Sequence, residues 1–267
     1  MYGVDLSGKV ALVTGAGRGV GRAISVTLAA HGARVALVGR GTGELAAVQA
    51  EIAAAGGVAL AFPCDVTHTA DVVERLKGEV EEAFGPPGIL VNNAGVFGPI
   101  ALLAEGDVEQ WVQTVMVNTV GPYLTCRAFV GGMVRAGWGR VINVSSAASL
   151  AQPGPYNSAY ATSKVALNHM TRCLAAELAG TGVTAHVIHP GEVKTEMWRD
   201  IKGQTAGDGA AGTGLRSWAA LVEATGGDPP EKAADLALRL MGDDATLASG
   251  QFLWIEGGLQ SPIETGW

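Results

Sequence analysis

Short β-branched runs alternate with segments of helical spacing along most of this chain, and that alternation limits the fold more than any other feature. Residues 9–14 (KVALVT) run into glycines, and residues 19–30 then carry apolar side chains at helical intervals at Val20, Ala23, Ile24 and Leu28. The same pattern returns, with strands expected at 34–38, 58–62, 89–92, 140–144 and 183–188 and helices near 44–55, 70–84, 108–136 and 158–179. A helix between successive strands makes the strands parallel, and runs apolar throughout require cover on both faces. The expected fold class is therefore α/β, a doubly wound parallel sheet in a three-layer α/β/α arrangement.

With 267 residues and no linker, the chain fits a single domain spanning 1–267. Residues 196–227, rich in Gly, Ala and Thr, break the rhythm and read as a long connection without a clear element, placed to act as a substrate lid. Beyond it, a helix is expected at 229–241 and a last strand at 251–256 (QFLWIE). Hydrophobic residues make up 48% of the chain, but the apolar runs are strand-sized, which predicts a soluble protein and no membrane partner. The first nine residues do not read as a signal peptide, so a cytoplasmic location is expected. Cys64, Cys126 and Cys173 form neither a disulfide framework nor a metal pattern and read as buried small apolar residues; no metal is expected. A net charge of −7 without a Lys/Arg cluster argues against a nucleic-acid partner.

The first strand and helix are joined by Thr14-Gly15-Ala16-Gly17-Arg18-Gly19-Val20-Gly21. Unsatisfied N–H groups and the helix dipole favour a pyrophosphate at such a junction, and glycines let the backbone approach it. The general GxGxxG spacing is not met in register; the glycines that matter are Gly15, Gly19 and Gly21. After the second strand, where an NAD site places an acid for the ribose hydroxyls, the chain has Gly39-Arg40. A guanidinium there, with Arg18 as a second charge, fits a 2′-phosphate, so NADP(H) is favoured and NAD(H) remains possible. Asp65, with Val66 beside it, follows the third strand where an adenine amino group could be met.

Tyr160 and Lys164 share one helix face, which brings an ammonium near a phenol. A phenol is a poor base at neutral pH, and a neighbouring cation favours its charged form. Ser145-Ser146 stands fourteen residues before Tyr160, counted from Ser146, at the C-terminal end of the fifth strand, where open α/β sheets bind ligands; Ser146 is the expected partner of a substrate oxygen, with Ser145 as the fallback. Asn92-Asn93-Ala94-Gly95 closes the fourth strand beside the same crevice.

Taken together, these segments resemble the short-chain dehydrogenase/reductase family of single-domain type, from about residue 9 to residue 258. The quoted glycine turn, Asn92-Asn93-Ala94-Gly95, Ser146 with Tyr160-Ala161-Thr162-Ser163-Lys164, Pro190-Gly191-Glu192-Val193-Lys194-Thr195, and Asn118 in Val117-Asn118-Thr119 carry the resemblance. It implies a Rossmann fold and hydride transfer between NADP(H) and a carbonyl or secondary alcohol. By that resemblance Tyr160 is the acid/base, Lys164 lowers its pKa and holds the nicotinamide ribose, Ser146 orients the carbonyl oxygen, and Asn118 holds a proton-relay water. Gly15, Arg18, Gly19, Val20, Gly21, Arg40, Asp65, Val66, Asn92, Ala94, Gly95, Pro190, Gly191, Val193 and Thr195 would meet the cofactor.

Phe97, Tyr156, Met197 and Trp198, with Ser146, are the expected substrate contacts, and with Trp218 in the lid they suggest a hydrophobic ketone or alcohol. The apolar tail from Phe252 to Trp267 offers a contact surface for a homodimer or homotetramer. Two alternatives remain: an NAD(H)-dependent alcohol or sugar dehydrogenase, and a non-catalytic nucleotide sensor.

Overall fold

The computed structural model describes residues 4–150, 154–205, 213–242, 245, 249–255 and 258–259. One eight-stranded sheet has the order β3-β2-β1-β4-β5-β6-β7-β8. Its strands are β1 (Val10–Thr14), β2 (Arg34–Gly39), β3 (Val58–Pro63), β4 (Ile89–Asn92), β5 (Gly139–Val144), β6 (Val183–His189), β7 (Phe252–Trp254) and β8 (Gly258–Leu259). The first seven are parallel and β8 returns antiparallel to β7. The described helices are α1 (Gly19–Ala30), α2 (Thr42–Ala54), α3 (Lys77–Phe84), α4 (Val108–Val115), α5 (Gly121–Ala136), α6 (Ser158–Glu177), α7 (Glu196–Gln204), α8 (Thr213–Thr225) and α9 (Glu231–Arg239).

Because β1 is covered on both sides, its alternate side chains enter different cores. Ala11 and Val13 join α1, α2 and α9 through Ile24, Leu28, Leu45, Ile52 and Leu236. Val10 and Leu12 join α3 and α5 through Val80, Phe84, Leu124 and Phe129. Ile24 and Leu28, one helical turn apart and 0% exposed, each contribute on the order of 2 kcal/mol by leaving water. Continuous burial fails at β3, where Val58 and Leu60 are 51% and 38% exposed: as the sheet edge, β3 has one open face.

The stretch 196–227 also departs from expectation, since it holds two helices rather than a bare loop. α7 turns Trp198 and Ile201 inward, and α8 does the same with Ala219 and Val222. Among the cysteines, Cys64 and Cys126 are buried, whereas Cys173 is exposed on the solvent side of α6. Of the expected contact tail, residues 256–257 and 260–267 lie outside the described residues. Among the described residues, no helix is long and apolar enough to cross a membrane.

In this order β2 and β3 lie on one side of β1, and β4 onward on the other. The strand sequence therefore reverses between β1 and β4, and a crevice opens at their C-terminal ends.

Candidate active site

The floor of the crevice is fastened across the reversal. Thr14 Oγ1 accepts the N–H groups of Asn93 and Ala94 at 3.0 and 3.1 Å, and Asn93 Nδ2 donates to the carbonyls of Thr14 and Gly15. The glycine turn then leads into α1. A Cβ on Gly21 would stand 2.2 Å from the Gly15 carbonyl oxygen, so Gly21 serves close packing. Gly19 (φ +53°) lines the cleft, and a Cβ there would meet only the Thr195 methyl, at 3.3 Å. Backbone N–H groups at the start of a helix beside an uncrowded glycine suit a dinucleotide pyrophosphate.

The cleft encloses about 1300 Å³. Gly15, Arg18, Val20, Arg40, Asp65 and Val66 line one end, and Ala94, Gly95, Pro190, Gly191, Val193 and Thr195 line the middle. Burial works against the Asp65 charge, but two hydrogen bonds from Thr67 and the Arg40 guanidinium hold its carboxyl below the usual range. Arg18 lines the cleft already paired: Glu44 of α2 holds it at 3.0 Å, and Glu196 of α7 pairs with the same nitrogen. Asn92 also departs from its expected position. It lies below the floor, donating to Asn143 Oδ1 at 2.8 Å and accepting from Thr125 Oγ1 at 2.6 Å, while Asn93 takes the lining position.

At the other end, Ser146, Tyr160 and Lys164 come together. Ser146 Oγ accepts the Ala148 N–H at 3.2 Å, and its hydroxyl hydrogen-bonds the Tyr160 phenol. Ser145 is committed elsewhere, donating to Asn168 Oδ1 at 2.6 Å. Lys164 Nζ donates to the Val144 carbonyl at 2.8 Å and stands 5.7 Å from the centre of the Tyr160 ring. Burial dominates the ionisation of both. It pushes Tyr160 up to about 12, opposed by the Ser146 bond and reinforced by the Glu192 charge, and it brings Lys164 down to about 8.

Asn118 sits in a π-helical turn, Met116–Val120, between α4 and α5. Its side chain is fully engaged: Oδ1 accepts the Val96 N–H, and Nδ2 donates to the Val96 carbonyl and Ser163 Oγ. Pro122, four residues on, has no N–H, so the Asn118 carbonyl lacks the usual α-helical donor.

The substrate end has an apolar wall, interrupted by an acid. Phe97 stacks on Tyr160 at 4.8 Å between ring centres, and Met197, Trp198, Leu215 and Trp218 continue the wall. Tyr156, expected in this wall, is not part of it; its backbone has φ 70° and its neighbours Pro155 and Asn157 line the cleft instead. That acid is Glu192, whose Oε2 accepts the Trp218 indole N–H. Sequence spacing gave no signal for Glu192, because Trp218, which donates to it, lies 26 residues away and reaches it only through the fold. His189 is 4% exposed, and burial pushes it down to about 4.

A family model described as short chain dehydrogenase matches residues 9–206. D-beta-hydroxybutyrate dehydrogenase of Rhizobium meliloti (strain 1021) is 35% identical over 259 residues, covering 94% of this chain and 98% of the relative. Among solved structures, NAD+-bound xylitol dehydrogenase is similar at a TM-score of 0.85 with 27% identity, covering 96% of this chain and 100% of the other. A variant of actinorhodin polyketide ketoreductase with NADPH is similar at a TM-score of 0.83 with 31% identity, covering 92% and 95%. The chain, with a phenol, a serine and a lysine gathered beside its dinucleotide crevice, belongs to the short-chain dehydrogenase/reductase family and is an oxidoreductase acting on CH–OH groups with a nicotinamide cofactor.

Proposed function

We propose that this enzyme is an NADP(H)-preferring carbonyl reductase in which Tyr160 donates the proton and Ser146 holds the reacting oxygen. The observation that carries this reading is the meeting of Ser146 and Tyr160 in the cleft, near enough for the serine hydroxyl to act on the phenol, with Lys164 beside them. When bound, the nicotinamide supplies or accepts the hydride. A phenol pushed up to about 12 is kept protonated, which suits giving a proton to a developing alkoxide. Lys164, brought down to about 8, can resupply the proton, and in this reading the Asn118 carbonyl holds an intervening water.

Arg40 in the cleft, without an acid at the end of β2, supports the NADP(H) preference. A second reading, an NAD(H)-dependent alcohol or sugar dehydrogenase, is favoured by the Glu44 and Glu196 grip on Arg18, which places two carboxylates near the phosphate-binding end. The NAD+-bound xylitol dehydrogenase is a neighbour of that kind. Exposed Val108 and Val112 on α4, Tyr123 on α5 and Val165 on α6 support a homo-oligomer, and the exposed free thiol of Cys173 fits the reducing cytoplasm. The α7 and α8 helices, in contact with each other and lining the cleft, support a lid role for 196–227.

The test is a ketone panel with NADPH and NADH, followed by loss of the reduced-nicotinamide absorbance. Tyr160→Phe is expected to lower kcat by at least about 100-fold with cofactor binding retained; near-normal turnover removes the proposed chemistry. Arg40→Ala is expected to raise KM for NADPH about tenfold while leaving NADH nearly unaffected. Equal effects on both cofactors favour the second reading.

A further inference from the structure

Glu192 is the first residue after the Pro190-Gly191 turn that follows β6. Its backbone is fixed on both sides, because its N–H donates to Asp228 Oδ2 at 2.9 Å and its carbonyl accepts the Asp228 N–H at 3.0 Å. The side chain therefore enters the cleft from a rigid base. There it faces the same space as Tyr160, close enough for its charge to act on the phenol.

Among the described residues the carboxylate has a hydrogen-bond donor but no Lys or Arg ion pair. Trp218 supplies a neutral N–H to Oε2. His189 Nε2 lies 3.9 Å from Oε1, but Nδ1 of that ring accepts the Ala147 N–H at 3.3 Å and burial keeps the imidazole uncharged. Of the cations around the cleft, Lys232 pairs with Asp228, Lys194 and Lys202 with Glu223, and Arg18 with Glu44 and Glu196, while Lys164 donates to the Val144 carbonyl and Arg199 lines the same cleft. No Lys or Arg is among the groups that act on Glu192. A half-buried carboxylate in this position is costly to keep charged unless a ligand completes it. The apolar wall of Phe97, Leu215 and Met197 shares the cleft with Tyr160 and Glu192.

We infer that Glu192 is a specificity-determining residue that receives the ammonium group of an amino ketone or amino alcohol, while the reacting oxygen lies on Tyr160 and Ser146. The same charge excludes substrates that end in a carboxylate. A neutral hydroxyl can still donate to Glu192 and ranks between the two. The inference rests on the carbonyl-reductase reading for its substrate class, but its electrostatic content is testable by binding alone.

Calorimetry of the cofactor-loaded enzyme with two unreactive probes of matched shape, cyclohexylmethylamine and cyclohexylacetate, is the primary test. The amine is expected to bind about tenfold more tightly than the carboxylate, the size of a partly desolvated ion pair. Glu192→Gln keeps an acceptor for Trp218 and is expected to bring the two affinities within about twofold. Trp218→Phe removes the indole donor and keeps the charge, so the amine preference is expected to persist. Equal affinities in the wild type, a preference unchanged in Glu192→Gln, or a preference lost in Trp218→Phe overturns the inference. Turnover of short ketones ending in ammonium, hydroxyl or carboxylate then extends the ranking to kcat/KM. If the binding preference appears but no ketone is reduced, the reductase reading fails and the charge assignment of Glu192 stands.

Discussion

Two buried cations stand at opposite ends of β5 and are treated in opposite ways. Arg140, at the start of the strand and 2% exposed, donates to the carbonyls of Gly139, Gly182 and Gly242 and lies over the Trp138 ring at 4.9 Å. Lys164 reaches the last residue of the same strand, has one carbonyl for a partner, and lines the cleft. The guanidinium ties three chain segments together. At the catalytic end, burial instead drives groups away from their charged forms: Lys164 down to about 8, Tyr160 up to about 12, His189 down to about 4. One end of the sheet uses a cation for cohesion, and the other keeps proton affinities adjustable.

The largest effect that would break this contrast concerns Lys164→Met. We expect kcat/KM to fall by about 10³-fold with no loss of thermal stability, because an apolar side chain replaces a charge that burial disfavours. A marked drop in melting temperature would make Lys164 a structural cation like its counterpart. Arg140→Met should do the reverse, costing about 4 kcal/mol in urea unfolding through three deprived carbonyls while kcat of the folded enzyme stays within about twofold. Comparable losses in kcat and stability would erase the distinction between the ends.

The smallest expected effect sharpens the comparison by titration. His189 is held at about 4, below its ordinary 6.5, so the unfolded chain takes up the proton first as pH falls. Its contribution is complete above pH 6.5 and is lost progressively between 6.5 and 4, by at most about 3 kcal/mol. His189→Asn, which retains an acceptor for the Ala147 N–H, should flatten that part of the stability profile. Superimposable profiles for the two proteins would show that the imidazole does not control it.

The layers were readable in the sequence wherever burial on both faces forced uninterrupted apolar runs. β1, β2, β4, β5 and β6 fall within a residue or so of the expected bounds, and the Tyr160–Lys164 spacing located one wall of the site. Edge position was not readable: the composition of β3 matches an interior strand, yet two of its side chains face solvent. Nor were α7 and α8: α7 is only nine residues long, α8 opens on Thr-Gly, and the packing of both depends on the rest of the cleft. Asn92 and Asn93 are adjacent and chemically identical, so only strand pleat decides which one faces the crevice. The roles of Glu192 and Glu44 depend on partners 26 residues away in each case, beyond any local pattern.

The Thr14 hydroxyl, which accepts two N–H groups from the end of β4, has a mechanical consequence. It ties the strand tips on either side of the reversal to each other by side chain and backbone, so the floor of the crevice is fastened from both halves of the sheet. The lid proposed for α7 and α8 is therefore expected to close against a wall that stays put, and exchange of ligands is expected to follow the helices and not the strand tips.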